Sequence, residues 1–216
     1  MNENPVIMGI HNDNYPDLYE LLQKMMNKFE IPKIRIFIKP KLNNAMIFGN
    51  FVFIGDPLIK MFTKDELEVI IAHEFSHKYL RHSLSSFFLS MIFMLPLLYF
   101  LYTFNPKNTV SAILLLIGLL IFIYGFRIRN WINLHQEINA DILAVFHTNK
   151  TKELQNALMK MEIRDLTSRP SFIHSLFMNG ILWIIAYIFG FTHPKIADRL
   201  EYLELLNSVE CFRKVS

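Results

Sequence analysis

With 52% of its 216 residues apolar and only 19% charged, the chain is too greasy for an ordinary soluble domain, in which about a quarter of residues carry charge. A net charge of +3 with no basic patch interleaved with aromatics argues against nucleic acid, and the single Cys211 excludes an internal disulfide framework, leaving an inert thiol. The first twenty residues show no basic region leading into an apolar core, so no leader is expected.

Taken in chain order, residues 15 to 30 place Leu18, Leu21, Leu22, Met25, Met26 and Phe29 at helical spacing, which predicts an amphipathic helix stopped by Pro32. "KIRIFI" alternates charged and apolar residues and "NFVFIG" follows Gly49, so both read as strands of a small hairpin or sheet. Between them lie turn signals at Pro40, Asn43, Asn44 and Gly49, although "NAMIF" has strand character of its own. Thr63 with Glu66 three residues on has the spacing of a capping box, so the next helix starts near Lys64. No breaker follows before Pro96, which leaves that helix free to run directly into an apolar segment.

Between Arg81 and Lys107, and again between Lys107 and Arg127, no charged residue occurs. These stretches predict a hairpin of two membrane spans, about Leu84 to Phe104 and Val110 to Phe126, joined by "NPKN". Of the 22 Lys and Arg only Lys107 lies in the turn, so both flanks are expected on the cytoplasmic side, with Tyr99, Tyr102, Tyr124 and Trp131 suited to the interfaces. Residues 127 to 165 predict one or two polar-faced helices ending near Ser168 to Pro170. A third apolar stretch, Ser171 to Phe191, is long enough to cross, but His174, Ser175 and Asn179 favour a buried, interfacial or re-entrant helix. The chain closes with a helix burying Leu200, Leu203, Leu205 and Leu206.

The chemistry concentrates in "VIIAHEFSHKYLRH". His73 and His77 stand four apart on one helical face and bring two imidazoles to a common point, the nitrogen ligands that Zn²⁺ accepts. Glu74 is rotated off that face, where it can take a proton from water rather than ligate. A bland amphipathic helix spells the same letters, so a third ligand is needed to distinguish them. His82 lies one residue short of the metzincin position, and Leu80 stands where that pattern wants glycine. Glu137 in "LHQEINAD" is the better candidate, with Asp141 one turn on to accept from an imidazole N–H, unless the two carboxylates are simply a solvated face.

The order of blocks resembles the membrane zinc metallopeptidases that include the HtpX-type proteases and the CaaX prenyl proteases. The matching blocks are "NNAMIFGNFVFIGDPLIKMFTKDELEVIIAHEFSHKYLRH", a hydrophobic hairpin, "QEINAD" and "THPKIADRL", which together cover Pro32 to Leu206. The resemblance implies a mainly α fold with a small β-sheet, a zincin-type domain interrupted by a transmembrane helical hairpin. Residues 1–83 would form its N-terminal half, 84–126 the hairpin and 127–216 the C-terminal half. It implies one Zn²⁺ per chain held by His73, His77 and Glu137, with Glu74 as general base and Asp141 behind the ligands. Asn44, Ala45, Met46, Ile47 and Phe48 would be the edge strand that pairs with an extended peptide. His193 would donate to the oxyanion and Arg199 would order the carboxylates or the substrate, which requires that residues 171–191 not cross the membrane once.

The expected partners are a peptide or membrane-protein substrate and the lipid bilayer, with no nucleic acid. The chain is shorter than HtpX-type proteins and lacks the spans that precede their motif, so the substrate is left open. The rival expectation is a non-catalytic zinc-binding membrane module that captures peptides without cutting them, although such a module has no need of Glu74.

Overall fold

The computed structural model describes residues 6–8, 15–167 and 196–215. The elements in order are β1 (Val6–Met8), α1 (Pro16–Lys28), β2 (Lys33–Lys39), β3 (Ala45–Phe48), β4 (Phe51–Gly55), α2 (Asp56–Met61), α3 (Lys64–Tyr79), α4 (His82–Tyr102), α5 (Thr109–Thr148), α6 (Thr151–Thr167) and α7 (Ile196–Val215). The chain is thus mainly helical with one small sheet, and α4 and α5 are long and apolar enough to cross a bilayer. By compactness it divides into two units, Met1–Arg81 with Glu137–Ser168 and Lys195–Ser216, and His82–Gln136 with Arg169–Pro194. The third apolar stretch, Ser171 to Phe191, lies outside the described residues.

In the first unit the sheet order is β1-β2-β4-β3. β2 runs parallel to β4, and β3 folds back antiparallel onto β4 through a two-residue loop. Gly49, first in that loop, has φ +57°, a conformation that a tight hairpin assigns to glycine. β3 is left as an edge, packed beside α3. α1 buries the predicted face of Leu18, Leu21, Leu22, Met25 and Met26. These meet Ile34 and Ile36 of β2, Val52 and Ile54 of β4, and Val69, Ala72 and Phe75 of α3 in one core. Each large apolar side chain so buried contributes about 1.5–3 kcal/mol.

α3 is the central helix. It starts in the expected capping box, with the Thr63 hydroxyl accepting from the Glu66 N–H and the Glu66 carboxylate accepting from the Thr63 N–H. It is buried from Glu66 to His73, so its charged residues require partners. Lys160 meets Glu66 at 2.6 Å, and Glu68 sits between Lys24 at 2.7 Å and Lys150 at 2.6 Å.

Two expectations about helix ends are corrected. The motif helix does not continue into the apolar segment. It ends at Tyr79, and Arg81 takes φ +54°, the left-handed turn that closes many helices, donating its N–H back to Lys78 O at 3.1 Å. Conversely, the return span and the "QEINAD" segment are not separate helices. Both belong to the 40-residue α5, because the change from apolar to polar residues near Arg127 brings no helix-breaking residue with it.

In the second unit α4 packs on the first part of α5 through glycines seven residues apart. A β-carbon on Gly125 would fall 1.9 Å from Cγ of Phe93, and one on Gly118 would fall 2.6 Å from the Phe100 ring. Such small residues let apolar helices approach where no hydrophobic effect drives them together. A polar cluster closes the other end, where Ser86 donates to Asn133 at 2.8 Å and Gln136 donates to Ser85 at 2.9 Å. The turn between the helices is held by Asn105 Oδ1, which accepts from the Lys107 N–H, and by Asn108, which caps α5 at the Val110 N–H. The 18-residue apolar windows are 0% buried in α4 and 11% buried in α5, the reverse of a soluble core helix.

Candidate active site

α3 carries His73 and His77 one turn apart, with ring centroids 4.7 Å apart at 81°. Their Nε2 atoms approach to 3.1 Å. Glu137 comes from α5, its Oε1 3.4 Å from His77 Nε2 and its Oε2 3.5 Å from His73 Nε2. Among the described residues this is the group of side chains placed to hold a metal. The donor set fits zinc, since a tetrahedral shell at about 2.0–2.1 Å sets neighbouring donors roughly 3.3 Å apart. Two nitrogens and one carboxylate also leave a coordination position open, the arrangement of catalytic rather than structural zinc.

Asp141 lies one turn further along α5 and is fully buried. Its Oδ1 is 2.8 Å from His73 Nδ1, the nitrogen facing away from the donor cluster. A carboxylate at that position fixes the imidazole's tautomer and orientation. Asp141 is itself held by α7, for Arg199 grips it through Nε to Oδ2 at 2.8 Å and Nη2 to Oδ1 at 2.6 Å. The Tyr202 hydroxyl donates to the same Oδ2. Arg199 also reaches toward Glu137, Nη1 to Oε2 at 3.9 Å, so one guanidinium faces both carboxylates.

The electrostatics favour positive charge at this point. Burial weighs most on His73 and would keep it neutral, but the charge of Asp141 and the contacts to Asp141 and Glu137 outweigh burial and raise its pKa to about 10. A site that draws a proton to an imidazole so strongly also draws a dication, whose binding displaces that proton. Burial would lower the pKa of Arg199, yet Asp141 raises it further, so its charge is fixed. Burial and the Asp141 charge both push the Tyr202 phenol upward, which keeps it a donor.

Glu74 is half-buried and adjacent to His73 in sequence, turned about 100° around α3. The segment Asn44 to Phe48 contains β3, with Ala45 buried and Met46 and Phe48 exposed, and the Asn44 side chain accepts from the Ala45 N–H at 2.9 Å. His193 lies outside the described residues. The structure therefore brings together His73, His77, Glu137, Asp141 and Arg199. The sequence reading missed Tyr202, whose signal was its position three residues after Arg199 on the same face of a helix.

Comparison with known proteins places the whole chain. A protein named Protease HtpX homolog 2 from Sulfurisphaera tokodaii is 30% identical over 168 residues, 68% of this chain and 51% of that protein. The Protease HtpX homologs of Campylobacter concisus and Pyrococcus furiosus are each 26% identical, over 91% and 90% of this chain and 76% and 74% of their own lengths. The chain thus spans half the length of the first relative and about three quarters of the other two. The sequence profile of peptidase family M48 matches residues 12–206, and the chain accordingly belongs to that family of metallopeptidases.

Proposed function

We propose that the chain is a membrane-anchored, zinc-dependent endopeptidase that cuts membrane or membrane-proximal proteins, with its site facing the cytoplasm. The observation that carries this reading is the convergence of the His73, His77 and Glu137 donor atoms within 4.8 Å of one another, beside Glu74. One zinc held there would lower the pKa of a water and polarise the substrate carbonyl. Glu74 takes the proton from the attacking water and returns it to the leaving amine. Asp141, Arg199 and Tyr202 hold the ligand imidazole in register, and Arg199 keeps a positive charge beside the two carboxylates.

An extended peptide would pair with the open edge of β3, putting its backbone in register while Met46 and Phe48 meet its side chains. His193 is assigned to the developing oxyanion. The cytoplasmic orientation is supported by the isolation of Lys107 in the α4–α5 turn. Membrane-proximal substrates are supported by the short distance in sequence between His77 and the start of α4 at His82.

The test is zinc content together with proteolysis of a membrane-protein substrate in detergent. Glu74→Gln is expected to keep zinc and lose activity about 10²–10⁴-fold. Glu137→Ala is expected to lose zinc. A Glu74→Gln protein that cuts normally, or a wild type without zinc, overturns the reading in favour of a non-catalytic module.

A further inference from the structure

α5 carries an open groove of about 530 Å³ lined by Tyr124, Arg127, Ile128 and Trp131. The four residues recur at helical spacing and share one face. Tyr124 is 73% exposed and Trp131 60%, with Arg127 exposed between them. The indole is steadied from the far side by His135, whose ring centroid lies 4.3 Å from its own.

The position of the groove along the helix selects its solvent. From Thr109, where α5 begins, the backbone rises about 27 Å to Arg127, close to the hydrocarbon thickness of a bilayer. With the turn at one surface, the groove lies at the headgroup level of the other. Along this stretch of the sequence the charge has one sign. From His82 to Gln136 the chain contains Lys107, Arg127 and Arg129 and no Asp or Glu. Arg129 does not line the groove; its guanidinium lies 4.7 Å above the Phe126 ring and its Nε is buried.

We propose that this groove binds the phosphate of an anionic phospholipid. The Arg127 guanidinium supplies the charge, and the Tyr124 hydroxyl and Trp131 Nε1–H supply neutral donors at either side. Ile128 offers an apolar floor for the glycerol and upper acyl chain. A choline headgroup would bring a second positive charge beside Arg127, so a headgroup lacking an ammonium is preferred. This inference rests on the membrane placement of α4 and α5 proposed above and is independent of catalysis.

The experiment uses the full chain in phosphatidylcholine vesicles containing a minority of phosphatidylglycerol, with Trp183, the other tryptophan, replaced by Phe. Bromine is carried on the acyl chains of one lipid or the other, and quenching of Trp131 reports which lipid adjoins it. The expected result is enrichment of phosphatidylglycerol about fivefold over its bulk fraction. Arg127→Gln is expected to abolish the enrichment, Arg127→Lys to retain part of it, and Arg129→Gln to leave it unchanged.

Equal quenching by both lipids overturns the proposal, as does an Arg129→Gln loss as large as that of Arg127→Gln, which would mean general surface attraction. Displacement by inorganic phosphate would assign the groove to a soluble anion and overturn the lipid. Quenching by neither lipid would remove the membrane placement itself, while zinc content and proteolysis in the same samples report separately on the active site.

Discussion

α3 and α4 follow each other in sequence and reverse the usual association between polarity and burial. α3 holds Glu66, Glu68 and His73 and is buried over that whole stretch, while α4 holds no Lys, Arg, Asp or Glu and, apart from His82, has only half-buried and exposed residues. Ile92, at the middle of α4, is 62% exposed. The difference lies in what surrounds each helix. α3 is enclosed by protein, where a charge survives only with a partner, and each of its buried carboxylates has a lysine within 2.7 Å. α4 is long and apolar enough to cross a bilayer, and in the proposed membrane placement exposure of its side chains is the stable condition.

The most severe way to break this comparison is to take a partner from a buried charge. Arg199→Met would leave Asp141 enclosed without its two guanidinium bonds, and the first unit should lose about 3–5 kcal/mol in chemical unfolding. A loss under about 1 kcal/mol would mean that His73 and Tyr202 suffice to hold Asp141.

A charge placed on an exposed position should then behave oppositely in the two units. Ile92→Lys at mid-α4 is expected to cost about 2.5–3.5 kcal/mol of membrane insertion, read from the fraction integrated. Ile163→Lys on α6, where the isoleucine is equally exposed at 63%, should change stability by no more than about 0.5 kcal/mol. Equal effects at the two sites would show that α4 lies in water.

Glu68 gives a smaller effect with a pH signature. Burial would raise its pKa, but hydrogen bonds to Lys150 and Lys24 outweigh that and lower it below its ordinary 4.5. Because the folded value is the lower one, its contribution is fully present above about 4.5 and is lost as pH falls through the folded value. Glu68→Gln should cost about 2 kcal/mol at neutral pH and flatten the acid limb of the stability curve. An unaltered acid limb would assign acid sensitivity to other carboxylates. Smallest is Thr63→Ala, which removes one half of the capping box at the start of α3 and should cost about 1 kcal/mol in thermal unfolding.

Much of the fold was legible because local signals and global packing agree. The face of α1, the capping box at Thr63 and the strand character of β2, β3 and β4 follow from periodicity and cap chemistry over short windows. What escaped was set by longer-range or weaker causes. Arg81 closes α3 without the glycine that usually marks such a turn, and β1 is three residues whose pairing depends on β2. α2 is only six residues long, too short for its periodicity to register. At the site, the approach of His73 and His77 follows from a four-residue spacing, whereas the two-bond grip of Arg199 on Asp141 depends on where α7 returns. Tyr202 was illegible until Arg199 had a location.

The first unit is assembled from stretches separated in sequence, and this gives synthesis an order of events. His73 and His77 are made first, while Glu137 follows about 60 residues later, roughly 3–12 seconds at typical elongation rates. Glu68 waits longer still for Lys150 and Glu66 for Lys160, so both buried carboxylates of α3 are short of a partner beyond that point. The proposed ligand set is therefore incomplete throughout the making of the hairpin, and on that proposal the nascent chain gains its metal site only after Glu137 has been synthesised.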